Sequence, residues 1–146
     1  MQGLKLQALD AQDLEIISAH MQDAVLKIAN LEYLPRQKQF ILTANRFNWE
    51  LAEAHGELTR RACVLHFSRV EAVQARGLAR QQADQVLALL SISFEVEQEP
   101  SGFIIFIFAG GASLRLQVEC IEARLVDGEA EWATSNKPDH AQGKED

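Results

Sequence analysis

Apolar and polar residues follow the strand period most clearly between residues 101 and 118, and this stretch predicts a β-hairpin. An apolar run at residues 103–108 precedes Gly110-Gly111, and every second residue is apolar in the segment that follows. Gly-Gly between two such runs is typical of a two-residue turn, because primed turns need the positive φ that glycine adopts without a Cβ clash. The pairs expected from such a turn are Ile107 with Leu114, Ile105 with Leu116, and Phe103 with Val118.

This register predicts which side of the hairpin is buried. The six residues of those pairs form one wholly apolar face, which we expect in the core. The other face is half apolar and half polar, because Ile104, Phe106 and Phe108 stand across from Gln117, Arg115 and Ser113. An uncovered apolar strip is unfavourable in water, so we expect a helix or a second subunit to lie across it.

A helix is predicted at residues 11–22. Asp10 is a good N-cap residue, and Asp13 places a negative charge in the first turn. Leu14, Ile17 and Met21 recur at helical spacing and form one apolar stripe. This helix is the candidate for covering the half-apolar face of the hairpin.

Further alternating segments predict an antiparallel sheet. Besides the hairpin, whose second strand continues to residue 126, strands are expected near residues 3–8, 26–34, 39–44, 63–75 and 91–96. Residues 51–59 indicate a loop with one weak helical turn, and Asp84 can cap another single turn. The predicted fold is α+β, with a mainly antiparallel sheet or partly closed barrel of about seven strands, one longer helix and one short helix. Residues 1–132 form one domain, and the polar residues 133–146 predict a disordered tail.

A weak internal repeat runs through these segments. Each half consists of a helix followed by a three-stranded meander, which predicts a pseudo-twofold sheet, and chance similarity between strands is the alternative. A shift of 64 residues aligns residues 26–28 with 90–92 and residues 39–44 with 103–108, and a shift of 51 aligns residues 65–72 with 116–123.

Composition places the chain among soluble globular proteins. Apolar residues make up 47% of the 146 residues and charged residues 24%, with no apolar run of about 18 residues to span a membrane. The N-terminus lacks the pattern of a secretion signal, and both Cys63 and Cys120 lie on strand-like segments. We therefore expect buried, reduced thiols in a cytoplasmic protein. The net charge of −7 argues against nucleic acid as a partner.

Positive charge is concentrated in the middle of the chain. Eight Lys or Arg and four Asp or Glu lie in residues 36–80, against six and seventeen elsewhere. Two polar-aromatic segments, residues 33–36 and 45–49, lie at opposite ends of a predicted hairpin in this region. A guanidinium fork beside an aromatic ring suits a carboxylate or phosphate. The candidate ligand or partner contacts are Tyr33, Arg36, Arg46 and Trp49. In the alternative interpretation, Trp49 and Phe47 close the core and Arg46 pairs with a neighbouring Glu.

The sequence contains no recognisable catalytic constellation. It has no Gly-rich phosphate loop, no nucleophile elbow and no paired Cys-x-x-Cys motif. No two of its four histidines have metal-ligand spacing on one element, so neither a metal nor a cofactor is predicted. A nucleophilic cysteine needs exposure and a lowered pKa, and strand parity places Cys63 inside. These observations favour a protein that is not an enzyme.

Five motifs carry a resemblance to a known family: YLPRQ, NRFNWE, LHFSRV, FAGGASLRLQVECIEARL and WAT. Together they resemble an alphaproteobacterial family, domain of unknown function 2948, from Leu4 to about Pro138. The resemblance implies a bacterial cytoplasmic protein. It implies no activity and assigns no functional residue.

Two functions are compatible with the sequence. The preferred hypothesis is a non-catalytic cytoplasmic binding or interaction module, with a homodimer or another protein as partner, because the hairpin has a half-apolar face and catalytic motifs are lacking. The alternative is a binder of, or an enzyme acting on, a small anionic metabolite, because the basic middle segment contains Arg36, Arg46 and Trp49. Neither hypothesis involves nucleic acid or a membrane.

Overall fold

Ten antiparallel strands and two helices make up residues 3–134, the part of the chain that this computed structural model describes. The strands are β1 (Lys5–Ala8), β2 (Val25–Lys27), β3 (Leu31–Leu34), β4 (Gln39–Phe47), β5 (Thr59–Phe67), β6 (Val70–Arg76), β7 (Val86–Gln98), β8 (Ser101–Phe108), β9 (Ser113–Val118) and β10 (Ala123–Ala133), and the helices are α1 (Ala11–Met21) and α2 (Trp49–His55). They form one open sheet in the order β1-β10-β5-β4-β2-β7-β8-β9-β6, and β3 also pairs with β4. The predicted α+β fold with an antiparallel sheet is confirmed. The sheet has ten strands instead of about seven because three predicted strands are each divided in two.

The sheet bends across the β2–β7 pair, so that its two halves face each other. Phe40 on β4 and Phe67 on β5 have ring centroids 6.1 and 5.6 Å from that of Phe106 on β8, although neither strand neighbours β8 in the sheet. All three rings are buried. The core therefore lies between the halves, on what we call the inner side of the sheet.

Helix α1 forms as predicted and packs against β7, β1 and β4. The Asp10 side chain accepts a hydrogen bond from the Asp13 backbone N–H at 2.8 Å, which caps the first turn. Leu14, Ile17 and Met21 are buried in the core. The Ser18 hydroxyl on this helix accepts a hydrogen bond from the Ile92 backbone N–H, which ties α1 to β7.

The predicted register of the central hairpin is wrong by one residue. Ile104 pairs with Leu116, Ile105 with Arg115 and Phe106 with Leu114. A three-residue loop, residues 109–111, replaces the expected two-residue turn: the Phe108 N–H donates to the Ala112 carbonyl, and both glycines have positive φ. The extra loop residue shifts the pairing, so the inside and outside of β8 are exchanged. The buried apolar side chains on β8 and β9 are Ile104, Phe106, Phe108, Leu114, Leu116 and Val118.

Two predicted strand continuations are wrong for a shared reason. The strand that ends at Phe67 does not run on to Ala75, and the strand that ends at Val118 does not run on to Val126. Instead β6 crosses over to pair with β9, and β10 crosses over to pair with β5. The two crossings lie side by side, since Ser68 N–H donates to the Glu122 carbonyl and Glu119 N–H donates to the Arg69 carbonyl.

These exchanged strands give the sheet a twofold strand order. Outward from the central pair, the order is β2, β4, β5 and β10 in one direction and β7, β8, β9 and β6 in the other. The edge strand β1, beyond β10, and the side strand β3 have no counterpart in the second half. The internal alignment equates the same strands, and it equates β6 with β10. The halves differ in their helix, because α1 precedes β2 whereas only a 3₁₀ turn, Arg80–Gln82, precedes β7. The strand order therefore supports a duplication over chance similarity.

Three smaller differences concern the ends of elements. Helix α2 occupies part of the predicted loop and is capped by Asn48, whose side-chain oxygen accepts from the Leu51 N–H. Val96, which the alternation of residues 91–96 predicts to be buried, lies on the inner side opposite Gly102 but beyond the core, and it is exposed. Strand β10 extends to Ala133, and the Thr134 N–H donates to the Leu58 carbonyl. The rest of the predicted tail, residues 135–146, lies outside the described residues.

Candidate functional site

Arg46, on the inner side of β4, is fully buried at the centre of a charged cluster. Its Nε and Nη2 donate to Asp127 Oδ1 and Oδ2 at 2.8 and 2.7 Å. Its Nη1 and Nη2 also donate to Glu50 Oε1 and Oε2 at 2.9 and 2.8 Å, and Nη1 donates to the Phe47 carbonyl. A guanidinium has five N–H donors, and these five contacts use all of them. All five donors of Arg46 therefore bind groups of the protein itself. Its pairing with Glu50 agrees with the alternative interpretation of the sequence, in which Arg46 pairs with a neighbouring Glu.

Asp127 connects this cluster to the edge of the sheet. Its side chain has no solvent exposure and also accepts from the Leu4 backbone N–H at 2.9 Å. Arg61 Nε lies 3.9 Å from the same carboxylate and donates to the Gly128 carbonyl. The cluster thus joins β4, β5 and β10 to the N-terminal segment.

Electrostatic shifts in the cluster favour the charged forms. Burial alone would lower the pKa of Arg46, but the carboxylates of Asp127 and Glu50 raise it above its ordinary value. Burial would likewise raise the pKa of Glu50, but contacts with His20 and Arg46 outweigh it and hold that pKa well below the usual range. Because charges paired in this way stay ionised across the ordinary pH range, they suit a structural network better than proton transfer.

The four sequence-predicted contact residues do not converge on one site. Trp49 lies beside the cluster, with its ring centroid 4.6 Å from that of Phe47 and its indole N–H donating to the Gln22 carbonyl. Tyr33 lies on β3, where its hydroxyl donates to the Val70 carbonyl, and Arg36 lies in the exposed turn that follows. Tyr33 pairs with Phe40, and Arg46 lies six residues further along β4, which is about 20 Å at the rise of a strand. Binding of an anion by these residues stays a prediction.

Of the two cysteines predicted to be buried on strands, Cys63 is buried, whereas Cys120 is only partly buried and lies between β9 and β10, so the prediction is wrong for Cys120. Cys63 is buried, and desolvation raises the pKa of its thiol to about 12, so it stays protonated and unreactive at neutral pH. Burial also lowers the pKa of His66, whose ring nitrogen lies 3.0 Å from the Gln39 side-chain oxygen. Among residues 3–134, no three or more His, Cys, Asp or Glu side chains are grouped to hold a metal ion.

The corrected register leaves an apolar column on the outer side of β8. Phe103 and Ile105 are partly exposed and Ile107 is 38% exposed. The apolar stripe of α1 belongs to the core instead, and within residues 3–134 neither helix packs across this side of β8. We call the surface around the column the outer face, formed by Ser91, Ser93 and Glu95 on β7, Phe103, Ile105 and Ile107 on β8, Ser113, Arg115 and Gln117 on β9, and Ala72, Gln74 and Arg76 on β6.

Polar residues flank the apolar column on both sides. Glu95 pairs with Phe103 from β7, and the Arg115 guanidinium on β9 lies 3.7 Å above the centre of the Phe103 ring. A cation stacked on an aromatic face contributes about 0.5–1 kcal/mol at an exposed site and keeps its N–H donors free at the edge of the plane. The column thus has an acidic side and a basic side.

The other half of the internal repeat allows the outward positions of β8 to be compared with those of β4. The outward residues of β4 that align with the column are Gln39, Ile41 and Thr43, two of which are polar. The fold therefore tolerates polar side chains at these positions, and stability of the sheet does not require the apolar ones. The difference between these aligned positions is visible in the sequence. The predicted register is wrong, however, and therefore places Phe103, Ile105 and Ile107 in the core.

Comparisons with known proteins identify a family. Along the described residues, no helix has the length and apolar character needed to cross a membrane. No curated protein matches the chain, and no solved structure matches it. A family model described as protein of unknown function (DUF2948) matches residues 4–140, nearly the whole length. The chain belongs to this family of proteins of unknown function.

Proposed function

We propose that the protein is a non-catalytic interaction module that binds a protein partner through the outer face. The observation that carries this proposal is the partly exposed apolar column of Phe103, Ile105 and Ile107, in the middle of a strand-paired surface across which neither described helix packs. A contiguous apolar patch with a polar rim is typical of a protein contact, because burying it removes apolar surface from water.

The rigidity of the surface supports the same function. β8 is hydrogen-bonded to a neighbour on each side, and its alternate residues Ile104 and Phe106 are anchored in the core. The three outward side chains are therefore held at fixed spacing before a partner arrives. A preorganised surface loses less conformational entropy on binding, so it favours recognition.

The charged cluster around Arg46 favours a binding function over an anion-metabolising one. All five guanidinium donors of Arg46 are used by Asp127, Glu50 and the Phe47 carbonyl. An external phosphate or carboxylate would have to displace one of these carboxylates from a buried site. Displacing Asp127, whose side chain has no exposure, would leave an unpaired buried charge, which is strongly unfavourable. Displacing the partly exposed Glu50 would break its two hydrogen bonds of 2.9 and 2.8 Å to Arg46.

Site-specific photocrosslinking in cells tests the proposal. A photoreactive amino acid at Ile107 should give a defined crosslinked product, whereas the same group at Thr43, the aligned outward position in the other half, should not. Ile105→Glu should abolish the product formed from position 107, because a carboxylate in the middle of the column must be desolvated on contact.

The result that would contradict the proposal is equally specific. Position 107 would then give no product above that of position 43, or its product would persist in the Ile105→Glu variant. Circular dichroism of each variant provides the control for folding, since both substituted positions point away from the core.

A further inference from the structure

Arg61, which lies opposite Arg46 on β5, has N–H donors that no group within residues 3–134 accepts. Its side chain is 10% exposed, and its Nε donates to the Gly128 carbonyl at 2.9 Å. Neither terminal nitrogen, Nη1 or Nη2, makes a hydrogen bond in the described part of the chain. Donors left without an acceptor at a largely buried position are unfavourable, so an acceptor from outside the protein would stabilise them.

Two carboxylates lie near this guanidinium without forming hydrogen bonds to it. Glu131 Oε1 is 3.7 Å from Nη1 and Asp127 Oδ2 is 3.9 Å from Nε, beyond the roughly 2.7–3.2 Å of an N–H···O bond. Asp127 instead accepts from Arg46 at 2.8 and 2.7 Å. Glu131 Oε2 accepts from the side chains of Asn48 and Thr59 at 2.7 and 2.8 Å. Because both carboxylates are held by these other partners, the two terminal nitrogens stay available to a ligand.

Arg61 lines an open cleft of about 580 Å³, through which a ligand can reach it. The other walls are residues 3–5 of the N-terminal segment and residues 127–129, where the pairing of β10 with β5 is interrupted. Gly3 lies so close to the guanidinium that a Cβ at this residue would be 3.0 Å from Nη2. A side chain at residue 3 would therefore fill space beside the donors that glycine leaves open. A cleft of this size accommodates a small molecule.

We infer that the cleft binds the carboxylate of a small organic acid through the two terminal nitrogens of Arg61. The planar fork of a guanidinium matches the two oxygens of a carboxylate. Neighbouring charges favour this group over a phosphate or sulfate, because Asp127, Glu129 and Glu131 repel a dianion more strongly than a monoanion. The same charges keep the affinity modest. The cleft lies in the opposite half of the sheet from the outer face, so this site adds a ligand to the proposed interaction function.

Titration of the full chain with acetate tests this site. Acetate replaces chloride at constant ionic strength, and the backbone amide signals of Leu4 and Gly128 are followed by nuclear magnetic resonance. Both signals should shift until the site is saturated. Arg61→Lys keeps the positive charge but removes the fork, so it should raise the half-saturating acetate concentration at least about tenfold, as expected when a charge-assisted hydrogen bond is lost.

A second variant tests the site without altering the buried arginine. Glu129 is exposed and lines the cleft, so Glu129→Gln should leave the fold intact. Removing its negative charge should lower the half-saturating acetate concentration about twofold, because less repulsion opposes the ligand. The matched control is Glu97→Gln, an exposed position on β7 in the other half of the sheet, which should leave that concentration unchanged.

Three results would overturn the inference. The first is a titration of the unchanged chain in which neither amide signal shows a saturable shift. The second is an equal half-saturating concentration in a folded Arg61→Lys chain; if that variant does not fold, an unchanged concentration in Glu129→Gln has the same meaning. The third is saturation of the same signals by sulfate at a lower concentration than acetate, which would contradict the assignment of a carboxylate.

Discussion

Replacing Asp127 with Asn is expected to lower the free energy of unfolding by about 3–5 kcal/mol, the range found when one partner of a buried ion pair is removed. The side chains of Asp127 and Arg46 are both fully buried and share two hydrogen bonds of 2.7 and 2.8 Å. The amide keeps the shape of the carboxylate but removes its charge. Urea denaturation followed by circular dichroism measures the change.

The matched control is an exposed ion pair. Lys38 and Glu119 lie 3.2 Å apart with side chains 48% and 39% exposed. Because water already solvates both groups, Glu119→Gln should cost less than about 1 kcal/mol. Equal losses in the two variants would mean that the Arg46 cluster is hydrated and does not hold β4 and β10 together.

Replacing Phe67 with Ala should also lower the free energy of unfolding by about 3–5 kcal/mol, because it opens a cavity between the two halves of the bent sheet. Phe67 is fully buried, and its ring lies edge-on to that of Phe106 at 5.6 Å. A double-mutant cycle of Phe67→Ala with Phe106→Leu should give a coupling energy of about 0.5–1.5 kcal/mol, as aromatic pairs do.

Val64→Ala, on the same strand, is the control for this prediction. Val64 points outward and is 41% exposed, so its truncation should change stability by less than about 1 kcal/mol. Additive effects of the Phe67 and Phe106 substitutions would show that the halves do not pack face to face.

The elements that the sequence predicts correctly are those determined by local chemistry. Asp10 caps α1 through a hydrogen bond three residues along the chain, and Leu14, Ile17 and Met21 lie on one side by helical geometry alone. Strand β9, whose residues alternate clearly, also has the predicted residues buried. Such patterns depend on residues that are close together in the sequence, so a single sequence is sufficient to predict these elements.

The alternation of apolar and polar residues does not determine the register of the central hairpin. Residues 103–108 are all apolar, so their parity does not indicate which ones are buried. The prediction therefore depended on the length of the loop alone. Gly110 and Gly111 are compatible with a two-residue or a three-residue loop, and the additional residue Ala109 decides between them.

The exchange of β6 and β10 depends on contacts that are distant in sequence. Apolar residues recur just beyond Phe67 and just beyond Val118, although the alternation falters at Cys120-Ile121, which is why each segment is predicted to be one strand. The break at Arg69 needs a positive φ of 63° at a residue that gives no such signal in the sequence.

The candidate site was predicted only in part. Arg46 and Glu50 are four residues apart, so their pairing is a local expectation. Asp127, the other carboxylate on Arg46, is 81 residues away and carries no motif that marks it. The outer face required the correct register, because an error of one residue moves Phe103, Ile105 and Ile107 from the surface to the core.

Truncation of two adjacent isoleucines on β8 tests most directly whether alternate residues of this strand lie in the core and on the contact surface. Ile104 is fully buried, whereas Ile105 lies in the middle of the outer face. In denaturation of the monomer, Ile104→Ala should lose about 2–5 kcal/mol and Ile105→Ala less than about 1 kcal/mol. The opposite order of losses would place the odd-numbered residues in the core and contradict the outer face as a binding surface.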